Sequence, residues 1–223
     1  MNTLGIVLAR GGSRGVPGKN LAEVGGIPLV ARAVRACRGA HTLHETIVSS
    51  DSDSILDLAE REGALTVRRP ARLSGDTALS SDAIAHILES GIVFDIGALV
   101  QPTSPFVPSW HIDQCVSVLA ADNTAMAAIS VAESHFVLWS GQPDRPDCVT
   151  HTASMRRPGR QSDPPRWIET GGVYAFRREM FNLPNLTFPP GSVRLVPIAY
   201  WPHSVQIDEP ADLTAARRLA IPS

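Results

Sequence analysis

Residues 4–20 read LGIVLARGGSRGVPGKN: an unbroken apolar run, then Arg10, then Gly11, Gly12, Gly15 and Gly18, and finally Lys19 and Asn20. A short apolar run that stops this sharply suits a strand buried on both faces, the kind found at the centre of a parallel sheet. The glycine-rich stretch after it suits a loop that wraps polyphosphate. Glycine lets main-chain amides approach an anion closely, and a cation at each end neutralises oxygens that a neutral loop cannot hold.

Two common phosphate loops do not fit. A Walker loop needs glycine where Ser13 stands and Ser or Thr where Asn20 stands. A dinucleotide fingerprint needs two glycines separated by one residue, and the four glycines here never take that spacing.

Beyond the loop, apolar runs alternate with amphipathic stretches. Strands are expected at Leu4–Ala9, Thr46–Ser50, Leu65–Val67, Ala98–Gln101 and Ala125–Val131, with helices at 27–38, 53–62, 80–90 and 109–121 between them. Ser80, Ser81 and Asp82 before an apolar run form an N-cap signal. The alternation predicts a doubly wound, mostly parallel α/β sheet. From about Glu133 to Trp167 prolines and charges recur without helical period, as in QPDRPD and MRRPGRQSDPPR, which suits a lid, a subunit contact or a long loop. Strands return at Gly171–Phe176 and Arg194–Ile198, and a helix at Asp208–Leu219 closes the chain. The whole of 1–223 is therefore expected to be one domain interrupted by an insertion at about 135–165.

Composition narrows the function classes. At 223 residues the chain holds ample core for one domain, and the formal net charge of −2 gives no general attraction for nucleic acid or an anionic membrane. Cys37, Cys115 and Cys148 are odd in number and lack paired spacing, which suits a reduced, cytoplasmic protein. LGIVLA is too short for a signal-peptide core, and no run approaches membrane-spanning length. His135, His151 and His203 fit no metal spacing.

In an open parallel sheet, ligands gather beyond the carboxyl ends of the strands. Arg10, the cluster Ser50, Asp51 and Asp53, and the run Gln101-Pro102-Thr103-Ser104 all lie there. Asp51 and Asp53 also read as a helix cap and first turn. The segment RRPARLSGDTALSSD, residues 68–82, is either a solvated basic loop or a further set of donors for a nucleotide.

LARGGSRGVPGKN, RRPARLSGDTALSSD, LVQPTSP, ETGGVYAF and SVQIDEPADL occur in the order seen in acylneuraminate cytidylyltransferases, the CMP-sialic acid synthetase family, and the chain resembles that family over nearly its whole length. The resemblance implies a Rossmann-like nucleotidyltransferase with a small inserted dimerisation or lid segment, acting as a homodimer. It implies transfer of CMP from CTP to a sugar acid of the nonulosonic kind, with pyrophosphate leaving and Mg²⁺ offsetting charge. Leu8, Ala9, Arg10, Gly11, Gly12, Ser13, Lys19 and Asn20, with Arg69, Ser80 and Ser81, would hold the nucleotide. Gln101, Thr103, Ser104, Arg160 and Tyr174 would face a small acidic acceptor. Arg10, Lys19 and Asp208 would be catalytic, with Asp208 the metal carboxylate.

The chain departs from the family pattern where Gln206 replaces one carboxylate of an Asp-Ile-Asp element. Val107, Leu138 and Ile168 stand where the family commonly has cations. Other readings therefore stay open: a cytidylyltransferase for a small non-sugar acid such as a phosphonate, a sugar 1-phosphate nucleotidyltransferase using another nucleoside triphosphate, or a nucleotide-binding module without catalysis.

Overall fold

The computed structural model describes residues 1–149, 165–183 and 188–220. Its strands are β1 (Thr3–Leu8), β2 (Glu23–Val24), β3 (Ile27–Pro28), β4 (Glu45–Ser50), β5 (Leu65–Arg68), β6 (Ile96–Val100), β7 (Ala127–Ser134), β8 (Trp139–Gln142), β9 (Arg145–Cys148), β10 (Arg166–Arg177) and β11 (Val193–Pro197). Its α-helices are α1 (Leu29–Arg38), α2 (Asp53–Arg61), α3 (Ser80–Glu89), α4 (Ser109–Ala121) and α5 (Pro210–Leu219).

The opening apolar run becomes the middle of the sheet. β1 pairs in parallel with β4 on one side and β6 on the other, so Leu4, Ile6 and Val7 are buried whichever face they point to. β4 carries β5, also in parallel. The full order is β11-β7-β10-β6-β1-β4-β5, with β10 antiparallel to both its neighbours and β11 parallel to β7. The mostly parallel, doubly wound expectation is met. One apolar cluster joins α1, α2 and α4 to one face through Val34, Ile55, Ile112 and Leu119; a second joins α3 to the other through Ile84, Ile87, Phe94 and Phe176.

A third, smaller cluster matters most for the site. Val16 from the glycine loop packs with Val24, Leu29, Ile207 and Leu213, so the far end of the loop is tied by apolar burial to α1 and to the segment that enters α5. Glu209 caps α5 in a reciprocal capping box with Asp212, and Pro210 takes the first helical turn. The closing helix thus begins after Asp208, whose side chain takes no part in the cap.

Several boundaries differ from expectation for identifiable reasons. The helix expected from 27 begins at Leu29, because Ile27 and Pro28 pair with Glu23 and Val24 in a small hairpin. The hydroxyls at Ser80 and Ser81 do not cap α3: Leu79 occupies the cap position and no side-chain bond closes it. β10 starts at Arg166, five residues before the expected strand. Its first half pairs with Val131–Ser134 as a ribbon, and the register then shifts between Glu169 and Tyr174. Residues 139–148 of the expected insertion form the hairpin β8–β9; residues 150–164, Arg160 included, lie outside the described residues.

Candidate nucleotide site

The glycine loop leaves β1 at Ala9 and is pinned at three points. The main-chain N–H of Gly11 donates to Oδ1 of Asp51 at 2.8 Å, tying the loop to the end of β4. The Asn20 side-chain amide donates to the Arg10 carbonyl at 2.8 Å and braces the loop across its own span. Lys19 Nζ donates to the Ile207 carbonyl at 2.7 Å and lies 3.2 Å from Asp208 Oδ1. The Lys19 side chain is only 14% exposed, against 69% for Asp208, so a nearly enclosed ammonium is compensated by a carboxylate that itself faces water.

Gly15 explains why the loop tolerates no side chain at that position. A Cβ there would stand 2.0 Å from the Asp208 main-chain oxygen, so only glycine lets the loop and the Ile207-Asp208 segment come together.

Opposite the loop lies the 68–82 segment. The Arg68 guanidinium donates to the Asp51 carbonyl and pairs with Asp53; Asp53 lies in the first turn of α2 as expected, whereas the cap position is held by Ser52 and not by Asp51. Arg69 is 6% exposed; its main-chain N–H donates to Ser50 and its Nε donates to Ser74 Oγ at 3.1 Å. Burial lowers its pKa, Asp51 opposes that and Arg10 adds to it, yet a guanidinium remains charged at any relevant pH. Asp76 bridges the cleft: Arg10 Nη1 donates to its Oδ1 at 2.9 Å and Arg14 Nε lies 2.5 Å from its Oδ2.

The cleft has a volume of about 440 Å³. Arg10, Arg14, Lys19 and Arg69 concentrate positive charge in it. Gln101 and Thr103 from the end of β6 form its floor, and Thr103 Oγ1 donates to Gln101 Oε1 at 3.3 Å. The arrangement can hold a polyanion beside an amide and hydroxyls able to bond a base or sugar.

A largely buried polar chain links α4 to β7 and β10. His111 Nδ1 meets Gln114 Oε1 at 3.1 Å and its Nε2 meets Ser130 Oγ at 2.8 Å; Ser130 Oγ in turn meets Thr170 Oγ1 at 2.7 Å. Burial keeps the His111 pKa below its ordinary value. The Thr170 carbonyl then accepts a bond from Gln206 Nε2 at 2.8 Å.

A family model described as cytidylyltransferase matches residues 4–140, which is more than half of the chain. The chain belongs to the cytidylyltransferase family. N-acylneuraminate cytidylyltransferase A of Danio rerio is 28% identical over 78% of this chain and 41% of its own, and an N-acylneuraminate cytidylyltransferase of Escherichia coli O18:K1:H7 is 33% identical over 59% and 32%. The chain spans half the length or less of the curated relatives it matches. A CMP:2-keto-3-deoxy-manno-octonic acid synthetase solved with CTP superposes with a TM-score of 0.76 at 16% identity, covering 98% of each chain. The 4-diphosphocytidyl-2C-methyl-D-erythritol synthase of Anaerococcus prevotii gives 0.70 at 15%. At those identities the likeness speaks for the fold.

Within this member of the family, Leu8, Arg10, Ser13, Lys19, Asn20, Arg69, Ser80, Gln101, Thr103 and Asp208 all line the one cleft. Ala9 is fully buried, and the Gly11 amide is committed to Asp51. Ser104 is buried beneath the floor, and Gly12 lies outside the lining. Ser81 and Tyr174 line an adjoining cavity. Sequence reasoning passed over Arg14, and it grouped Asp76 with the possible nucleotide donors although a carboxylate cannot donate. Both arginines and Asp76 were visible as charges, but their convergence depends on a contact across 66 positions. Among the departures, Val107 packs at the edge of the core against Gly172, and Leu138 is half exposed immediately before β8.

Proposed function

We propose that this chain transfers CMP from CTP to a sugar acid of the nonulosonic kind, releasing pyrophosphate. The observation that carries the reading is one cleft, at the carboxyl ends of β1, β5 and β6, in which Arg10, Lys19 and Arg69 face Gln101 and Asp208. Arg10 suits bidentate contact with phosphate oxygens, while Lys19 is a point charge suited to the departing pyrophosphate. The acceptor hydroxyl oxygen forms a bond to the α-phosphorus, the bond from that phosphorus to the bridging oxygen breaks, and the hydroxyl proton passes to solvent. Positioning and electrostatic stabilisation do most of the work in such a substitution.

The residues fit Mg²⁺ held mainly by the substrate. Among the described residues no cluster of three or more His, Cys, Asp or Glu could cage a metal, but Mg²⁺ commonly takes one or two carboxylates beside phosphate oxygens and water. Asp208 supplies one exposed carboxylate; the Gln206 side-chain nitrogen donates to the Thr170 carbonyl. When bound, the ion would offset charge on the phosphate oxygens.

A homodimer is part of the same reading. Phe136, Trp139, Trp167, Tyr200 and Trp201 leave much of their apolar surface exposed around the outer end of the β7–β10 ribbon and the neighbouring hairpin, and Phe136 and Tyr200 meet edge to face. Patches of that kind mark association surfaces. Sedimentation showing only monomer at micromolar concentration overturns this part. No helix among the described residues is long and apolar enough to cross a membrane.

The deciding experiment measures pyrophosphate release with CTP across sugar acids, phosphonates and sugar 1-phosphates. Turnover with CTP and a sugar acid supports the reading. Turnover only with a phosphonate, or only with a sugar 1-phosphate and GTP or UTP, moves the chain to one of the other two chemistries.

A further inference from the structure

Between Glu169 and Tyr174 the pairing of β10 with β7 shifts register, and Gly171 inside the shift takes φ +69°. Residues 170–173 form a bulge, a device that re-aims groups beside active sites. Its carbonyls hold the supports of the nucleotide cleft. The Thr170 carbonyl accepts from Gln206 Nε2 at 2.8 Å, and the Gly172 carbonyl accepts from the Gln101 N–H at 3.3 Å. Next to Gln206, the Ile207 N–H donates to the Thr103 carbonyl, and the Ile207 carbonyl accepts from Lys19 Nζ. The bulge therefore meets both the floor of the cleft and the segment that carries Asp208.

Side chains hold the bulge in turn. Thr170 Oγ1 accepts from the Gly172 N–H at 3.3 Å and meets Ser130 Oγ at 2.7 Å, and Ser130 Oγ meets His111 Nε2 at 2.8 Å. All three residues are buried.

The hydrogens along this chain are ordered from its far end. Gln114 Oε1 can only accept, so the hydrogen of the imidazole, which burial keeps neutral, lies on Nδ1. Nε2 is then a bare acceptor. Ser130 Oγ donates to it and accepts from Thr170 Oγ1, which leaves the Thr170 lone pairs for the Gly172 N–H. Each hydroxyl has one hydrogen, so the imidazole decides where both point. A buried chain satisfied at every member favours one arrangement of the backbone it holds.

Resting on the transferase reading above, we propose that His111, Ser130 and Thr170 are positioning residues for CMP transfer: their chain fixes the bulge, and the bulge places Gln101 and the Ile207-Asp208 segment in the cleft.

The test compares three variants of the full chain under conditions where circular dichroism shows each folded. Thr170→Val keeps the volume and the main-chain carbonyl but removes the hydroxyl. Ser130→Ala cuts the chain without altering β10, and Thr170→Ser keeps the hydroxyl. With CTP, Mg²⁺ and the acid turned over best in the panel above, kcat is expected to fall about tenfold in the first two, the scale of a small misplacement, and to be largely retained in Thr170→Ser. An unchanged kcat in Ser130→Ala, or a Thr170→Ser as slow as Thr170→Val, overturns the proposal.

Amide hydrogen exchange supplies a readout independent of turnover. In Ser130→Ala the Gln101 and Ile207 amides are expected to speed up at least about tenfold more than those of β1 and β4, whose rates follow global unfolding. An equal rise throughout the sheet shows a purely structural chain and overturns the proposal. If no acid turns over with CTP, the transferase reading fails, and exchange at these two amides alone decides whether the chain positions the cleft.

Discussion

The Gln206 side-chain amide donates to the Thr170 carbonyl across 2.8 Å, and it does so through the space that a Cβ on Gly171 would need: that atom would stand 1.3 Å from the same nitrogen. Gly171 also has φ +69° at the register shift of β10. The amide that replaces a carboxylate in the family pattern therefore has a structural partner of its own. It fastens the segment bearing Asp208 to the sheet, beside the bond from the Ile207 N–H to the Thr103 carbonyl at 2.9 Å.

Gly171→Ala is accordingly expected to cost about 2–4 kcal/mol, combining left-handed backbone strain with overpacking. Pairing it with Gln206→Ala removes the clash and leaves the backbone share, about 1–3 kcal/mol. Denaturant unfolding of the two singles and the double gives the coupling. Equal losses in Gly171→Ala and in the double mutant would show that the amide and the glycine do not compete for space.

Asp76 occupies two of the cations that a triphosphate would need. Arg10 and Arg14 both contact its carboxylate, and these partly exposed pairs must open when phosphate oxygens arrive. Since exposed pairs are worth about 0.2–1 kcal/mol each, Asp76→Asn is expected to tighten metal-free binding of inorganic pyrophosphate a few-fold at low salt. The gain should shrink as salt rises. Calorimetry at two ionic strengths checks it, and weaker binding by the variant shows instead that Asp76 helps to hold the ligand.

How much of this was legible in sequence depends on where each residue's partner lies. Leu4–Leu8 and the β6 run are buried on both faces, so their apolar text announces them. The start of β10 has no such text, because residues 166–169 alternate between half-buried and exposed along a ribbon whose partner is more than thirty positions earlier. Arg10 and Lys19 could be assigned to one cleft because glycine chemistry and strand ends point there, whereas Arg69 joined them only through the family resemblance. Asp51 looked like a helix cap and instead anchors Gly11, since a carboxylate at a helix start and one facing a neighbouring loop read identically. Gln206 was visible as a missing charge, but a bond to a main-chain oxygen leaves no mark in composition.

His111 gives the fold a pH dependence of known sign. It is 1% exposed, and burial keeps its pKa below 6.5; Gln114 pulls the other way, and nearby His203 adds to the depression. In the unfolded chain the imidazole takes its proton near pH 6.5. As pH falls below that value the unfolded state binds a proton that the fold refuses, so stability declines until the lower folded pKa is reached. Asp122, held near about 2 by Thr124 and Arg194, acts in a separate window below its ordinary 3.8. Urea unfolding between pH 7.5 and 5 should show the decline, and His111→Asn should flatten it. A wild-type stability that is constant over that range removes the buried neutral imidazole from the account.

Lys19 and Asp208 allow the phosphate and metal roles to be separated. Their contact of 3.2 Å gives Asp208 two possible duties: counter-ion to an enclosed ammonium, or ligand to Mg²⁺ beside the triphosphate. As a counter-ion alone, its removal would be compensated in Lys19→Met, and the double mutant would be no worse than Lys19→Met. As a metal ligand, Asp208→Asn should raise the Mg²⁺ concentration for half-maximal rate by about tenfold or more. Lys19→Met should leave that midpoint in place and lower kcat by about 10²-fold, in line with loss of one preorganised charge. Magnesium titrations of the four proteins in the cycle distinguish the two duties. An unchanged midpoint in Asp208→Asn makes this carboxylate the partner of Lys19 and removes it from the metal site.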